Sequence, residues 1–248
     1  MIKYKTLLWK VIDKLKDAKY FNKLNLIWGY NNIWIKEENK WKVAFLTNKG
    51  LLFESKVIYF RLCNSPGTFQ RIMNSIFKEL LHKEVLTNYM DNFVILAKTK
   101  KELEERMICF LKIAEKHNLY FKQSKCDFNV EKIHILGVVV RWEEVQIENN
   151  KIKIVKEWRI STKIKEVESF LGFINFYRQF IKNFSYIVRL INELKGKKEW
   201  KWEGEHQKTF EELKDKIMSQ LVLALPKRDG KFKIKMDALG YNVRGVLF

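Results

Sequence analysis

Proline is almost missing from this chain: Pro66 and Pro226 are the only two in 248 residues. That excludes a proline-rich linker or a polyproline segment, and no internal repeat is visible. Cysteine is scarce as well. Cys63, Cys109 and Cys126 form no CxxC pair and no cluster with the four histidines, which excludes a disulfide scaffold and a zinc ribbon. No run of ~18 apolar residues is present, so no membrane span is expected. The opening stretch, MIKYKTLLWKVIDKLKDAKYF, carries charges throughout and does not read as a signal peptide. These absences predict an intracellular protein of the cytoplasm or nucleus, with reduced thiols.

Acidic residues are also short, at 29 Asp and Glu against 48 Lys and Arg, for a formal net charge of +19. Such a surplus suits a polyanionic partner, because each neutralised phosphate releases counterions. A second explanation stands beside it. The chain holds 39 Lys but 9 Arg, and 18 Asn but 7 Asp. A gene drifting toward AT-rich codons gives the same excess with no selection for nucleic acid, so charge alone does not choose a partner. What is plentiful is apolar material: 47% hydrophobic and 14% aromatic residues, enough for a sizeable core.

Periodicity sets out the elements. Leu7, Leu8, Ile12 and Leu15 predict a short amphipathic helix over 7–17. Apolar-aromatic runs broken by GYNN, EENK and NKG predict a strand, a turn and an antiparallel hairpin. Ser65-Pro66 supplies a cap and a proline for a helix over 66–82, with Phe69, Ile72, Met73, Ile76, Phe77 and Leu80 on one face. VLTNYM and FVILA flank Asp91-Asn92 and predict a hairpin with a two-residue turn. Residues 100–117 read as a charged amphipathic helix. HILGVVV (134–140) reads as one buried strand paired with VQI (145–147). The order implies an α+β sandwich with helices on one sheet face. After about residue 148 helical signals take over, and the chain closes on an apparent hairpin ending at Phe248.

Chemistry concentrates at Tyr89-Met90-Asp91-Asn92. A carboxylate at a hairpin tip is held rigidly and exposed, which suits metal binding, although a plain Asp-Asn turn explains the tetrapeptide on its own. The surrounding motifs resemble the reverse transcriptase of gypsy-class LTR retrotransposons, especially fungal members. FNKLNLIWGYNNIWIKE resembles the family's FTKLDLRWGYNNVRIKE. FRLCNSPGTFQ is similar to FGLTNSPATFQ, and YMDN to YMDD. LYFKQSKCDF and ILGVVV follow in the places of LYLKPEKCEF and YLGLII. SFLGFINFYRQFIKNFS and EWKWEGEHQKTFEELKDKI resemble thumb and connection segments. LALPKRDGKFKIKMDALGYNVRGVLF resembles the opening of an RNase H domain. The matches are collinear over about residues 12–248.

The resemblance implies an RNA-directed DNA polymerase: a palm at 1–148 lacking most of the fingers, a helical thumb/connection at 149–198, and a truncated RNase H-like β-hairpin in 199–248. It implies a dNTP, an RNA template, an RNA–DNA or DNA duplex as partners, and Mg²⁺ as cofactor; oligomeric state is left open. Its three metal-binding aspartates fall on Asn25, Asp91 and Asn92, of which Asp91 alone is a carboxylate. Lys125 takes the place of a lysine near the pyrophosphate. Nucleotide- and template-contacting positions fall on Leu26, Tyr30, Phe60, Gln70, Tyr89 and Met90, the primer grip on Leu136-Gly137, and the first RNase H carboxylate on Asp237.

Magnesium needs hard anionic oxygens. At ~4 Å and an effective dielectric of about 20, each missing carboxylate removes roughly 8 kcal/mol of gross attraction to a divalent ion. Desolvation cancels much of that, yet ~1.4 kcal/mol is already tenfold in rate. The expectation is a catalytically degenerate polymerase, or a non-catalytic nucleic-acid-binding or interaction protein on the same fold. Arg61, where the family has glycine, puts a bulky side chain near the expected nucleotide. Arg61, Asn25, Asn92 and Trp34 are all reachable by G→A or C→T transitions, the mark expected of a decaying gene.

Overall fold

The computed structural model describes residues 8–15, 17–60, 62–142, 144–159, 163–194, 201–219, 223–224, 234–239 and 242–247. Helix α1 (Leu8–Leu15) leads into strand β1 (Tyr20–Asn25). Two 3-10 segments, Gly29–Asn32 and Glu37–Val43, precede a short hairpin, β2 (Phe45–Leu46) with β3 (Leu52–Phe53). Helices α2 (Ser65–Ile76) and α3 (Lys78–His82) come next. Strands β4 (Leu86–Tyr89) and β5 (Asn92–Ala97) lead to helix α4 (Lys100–Lys116). Strands β6 (Asp127–Val130), β7 (Lys132–Ile135), β8 (Val138–Arg141) and β9 (Glu144–Ile147) follow. Helices then dominate: α5 (Asn149–Glu157), α6 (Ile164–Phe176), α7 (Phe184–Ile187), α8 (Arg189–Glu193) and α9 (Gly204–Met218). The final strands are β10 (Leu223–Ala224), β11 (Ile234–Leu239) and β12 (Asn242–Leu247).

Among the described residues, two antiparallel four-stranded sheets form, in the orders β4-β5-β1-β6 and β10-β9-β8-β7. Strand β5 lies inside the first sheet and is buried on both faces. Its side chains alternate between two cores, as the two-residue strand period requires. Phe93, Ile95 and Ala97 join Leu24, Phe69, Met73, Phe77 and Phe110 beneath α2 and α4. Val94 and Leu96 join Phe21, the α1 residues Val11, Ile12 and Leu15, and the second sheet. Helices α2 and α4 thus share one face, and α1 closes the other. Phe210, Leu213 and Ile217 of α9 enter that second core, and β10 pairs with β9.

Several local readings are corrected or refined. The helix expected over 66–82 is broken at Phe77, whose backbone leaves the helical region (φ −99°, ψ 22°) while its buried ring stacks on Phe110 at 4.7 Å. Its cap is Asn64, not Ser65: the Thr68 N–H donates to the Asn64 carbonyl at 3.0 Å. Ser65 is the first helical residue, and its hydroxyl is buried without a hydrogen-bond partner. The EENK segment, read as a break between apolar runs, belongs to the 3-10 helix Glu37–Val43. That helix brings i and i+3 side chains into line, and here Lys40 pairs with Glu37 and Lys42 with Asn39. The stretch 134–140 is two strands, because Leu136 and Gly137 both take positive φ (51° and 81°) and fold β7 onto β8. The hairpin tip near the chemistry lies one residue earlier than expected: Tyr89 pairs with Asn92, leaving Met90-Asp91 as the turn.

Candidate active site

Antiparallel pairing of β1 with β5 sets Asn25 directly opposite Asn92. The Leu26 N–H then donates to the Asp91 carbonyl at 2.9 Å, tying the end of β1 to the hairpin turn. Three side chains converge there. Asn25 Nδ2 donates to Asp91 Oδ2 at 3.0 Å and to Asn92 Oδ1 at 3.4 Å. Asn92 Nδ2 donates to Asp91 Oδ1 at 3.0 Å. Both oxygens of the one carboxylate are therefore occupied by amide donors. The three positions singled out from sequence form one hydrogen-bonded cluster.

The turn itself is strained and braced. Met90 takes a left-handed φ of 53°, unusual for a residue with a long side chain. Gln70, 4% exposed, holds it in place: its Oε1 accepts from the Met90 N–H at 2.8 Å. Gln70 Nε2 donates to Asn74 Oδ1 at 2.9 Å within α2. Gln70 thus acts inside the protein as a strut, a role its motif position did not reveal.

Tyr30 closes one side. Its hydroxyl donates to Met90 Sδ at 3.8 Å, and its ring packs on Phe69 at 5.1 Å. Burial, with the nearby charges of Asp91 and Tyr89, pushes the Tyr30 hydroxyl above its ordinary pKa. Phe60, 72% exposed, meets the same ring edge-on at 6.0 Å. Gly29 was missed by motif reading: a Cβ there would lie 3.0 Å from Phe69 Cζ, so glycine lets the start of α2 press against the turn after β1. Arg61 lies outside the described residues.

The other predicted positions lie around this cluster or apart from it. Leu26 is buried, and Tyr89 is half-buried beside Asn92. The Lys122 N–H donates to the Asn25 carbonyl at 2.9 Å, and exposed Lys125 stands one short turn further on. Leu136-Gly137 forms the β7–β8 turn in the second sheet. Asp237 lies in β11, in register with Arg244, and its side chain falls outside the described residues.

This donor set does not fit a pair of divalent cations. Such ions need hard anionic oxygens, and both amides here turn their N–H₂ groups toward the single carboxylate. Among the described residues no group of three or more His, Cys, Asp or Glu is placed to hold a metal. Nor, among those residues, is any helix long and apolar enough to cross a membrane.

The comparisons agree with this architecture. The family profile "Reverse transcriptase (RNA-dependent DNA polymerase)" matches residues 3–140. The Drosophila melanogaster Pol polyprotein from transposon 297 is 33% identical over 96% of this chain and 22% of its own length. The Schizosaccharomyces pombe transposon Tf2-7 polyprotein is 28% identical over 97% of this chain and 18% of its own. The chain thus spans about a fifth of the curated relatives it matches. A foamy viral protease–reverse transcriptase solved with double-stranded DNA superposes with TM-score 0.81 at 20% identity, over 97% of this chain and 42% of that one. Another, solved with an RNA/DNA hybrid, gives TM-score 0.78 at 21% identity over 92% of this chain and 31% of that one. Those structural likenesses carry the fold, and the profile match over more than half the chain carries the family: this chain belongs to the reverse transcriptases.

Proposed function

We propose that this chain is a segment of a gypsy-class retrotransposon RNA-directed DNA polymerase that has kept the nucleic-acid-binding fold and lost nucleotidyl transfer. The division follows the motifs, with a palm at 1–148, a thumb/connection at 149–198 and the start of an RNase H-like domain at 199–248. The partners are an RNA template and an RNA–DNA or DNA duplex. Asn25, Asp91 and Asn92 stand at the catalytic positions with Lys125, and Asp91 is the one residue suited to a Mg²⁺ ion. Leu26, Tyr30, Phe60, Gln70, Tyr89 and Met90 surround the nucleotide position; Leu136-Gly137 is the primer contact, and Asp237 stands at the position of the first RNase H carboxylate.

One observation carries the loss of activity: both oxygens of Asp91 accept hydrogen bonds from the amides of Asn25 and Asn92. A family that normally uses divalent metals needs those oxygens for the ion. A non-catalytic nucleic-acid-binding or interaction protein on the same fold is the second reading, with which the +19 charge is compatible. The test is primer extension with Mg²⁺ or Mn²⁺, run on this chain and on an Asn25→Asp, Asn92→Asp double variant. No extension by the native chain, with retained binding to a hybrid duplex, is expected. Extension by the native chain overturns the proposal. Failure of the double variant as well moves the cause away from the two amides and toward the Arg61 region.

A further inference from the structure

The β7–β8 turn is held by a residue forty positions away. Tyr177, the residue that closes α6, is 2% exposed, and its hydroxyl donates to the Gly137 carbonyl at 3.3 Å. The same carbonyl accepts from the Glu148 N–H at 3.1 Å, just before α5. Around the Tyr177 ring stand Phe173 at 5.3 Å, Phe176 at 4.8 Å and Phe180 at 6.3 Å. The hydroxyl has little room to move. The turn it touches is doubly left-handed, with φ of 51° at Leu136 and 81° at Gly137. A Cβ on Gly137 would lie 2.6 Å from Tyr177 Oη, closer than real Cβ contacts come. Glycine is therefore required at 137 twice over, by its φ and by the tyrosine.

We propose that Tyr177 is a positioning residue for the Leu136-Gly137 turn, a latch through which the helical segment after residue 148 sets the conformation of the β7–β8 hairpin. The inference that this matters for nucleic acid rests on reading the turn as the primer contact. The latch itself rests on geometry alone. Burial and the neighbouring Glu148 carboxylate push the Tyr177 hydroxyl up to about 12, so it stays a hydrogen-bond donor throughout the neutral range.

The geometry makes an unusual demand on a pair of variants. Tyr177→Phe removes one hydrogen bond and keeps the ring packing. Gly137→Ala brings a steric clash. With the hydroxyl gone, however, the nearest remaining atom to that Cβ is Lys151 Cε at 3.4 Å, on a flexible side chain. The double variant is therefore milder than Gly137→Ala alone, although some φ strain remains. Two unrelated structural losses would instead add.

The experiment combines amide hydrogen exchange over 132–148 with binding of a fluorescent RNA–DNA hybrid. Tyr177→Phe is expected to speed exchange at the turn while β1 and β5 stay protected, and to weaken hybrid binding roughly 2- to 10-fold, the range of one net hydrogen bond. Gly137→Ala is expected to act more strongly, with partial rescue by Tyr177→Phe. Unchanged exchange in Tyr177→Phe together with an equally severe Gly137→Ala in both backgrounds overturns the latch. Altered exchange and rescue, with hybrid affinity unmoved, uphold the latch and remove the reading of the turn as a primer contact.

Discussion

At the tip of the β4–β5 hairpin, one negative charge is shared by two amides, where three carboxylates would repel one another. Restoring Asn25→Asp and Asn92→Asp replaces two hydrogen bonds with like-charge contacts. The double variant is expected to lose about 1–3 kcal/mol in metal-free buffer, well below the unscreened Coulomb figure because the cluster is partly solvated. Added Mg²⁺ should raise the variant's Tm and leave the native chain's unchanged. Equal melting of the two proteins in EDTA would show that the amides contribute nothing. Gln70 makes a second prediction. Gln70→Ala leaves the half-buried Met90 N–H without its acceptor, which costs about 1 kcal/mol, and denaturant unfolding measures it. The cluster was legible because motif spacing fixes Asn25, Asp91 and Asn92 relative to one another. The inward role of Gln70 was not, because burial on the second turn of α2 depends on what packs over it.

Among the elements, aromatic stacking holds helices α2 to α4 against the first sheet. Phe77 and Phe110 stack at 4.7 Å, and Phe93 meets them at 5.2 and 5.7 Å. All three are fully buried. Phe110→Ala is expected to cost about 3–5 kcal/mol, the usual range for a buried phenylalanine; a loss under 1 kcal/mol in urea unfolding would mean the cavity collapses freely. The Tyr177 latch adds a dependence on alkali. Its folded pKa lies near 12, above the unfolded value of 10.0. The unfolded chain therefore releases that proton first as pH rises. Stability from this group is fully present below pH 10 and falls between 10 and about 12. Tyr177→Phe should flatten that part of the stability profile, which unfolding at stepped alkaline pH would reveal. Helices with clear apolar spacing, such as α4 and α9, were readable in advance. The Leu136-Gly137 turn was hidden inside an unbroken apolar run, because the sequence marks it by one glycine and the other left-handed residue is a leucine.

For the whole molecule the decisive quantity is charge, and two histories compete for it. Lysines accumulated through codon drift would be scattered, with a weak and diffuse attraction for any polyanion. Lysines retained along a nucleic-acid path would neutralise phosphates together, and each released counterion would steepen the dependence on salt. The formal charge of +19 cannot separate these histories, but a titration can. If the fold still grips a hybrid duplex through six or more phosphates, affinity should fall by about 10³-fold or more between 50 and 200 mM salt. It should also be nearly independent of base sequence, because phosphate contacts carry no sequence information. Asn25→Asp, Asn92→Asp should leave the salt slope unchanged if the amide cluster lies, as proposed, at the chemical site and off the phosphate path. A slope corresponding to one or two phosphates would favour drift. The protein would then be a reverse transcriptase fold with neither a strong phosphate grip nor more than one carboxylate among Asn25, Asp91 and Asn92.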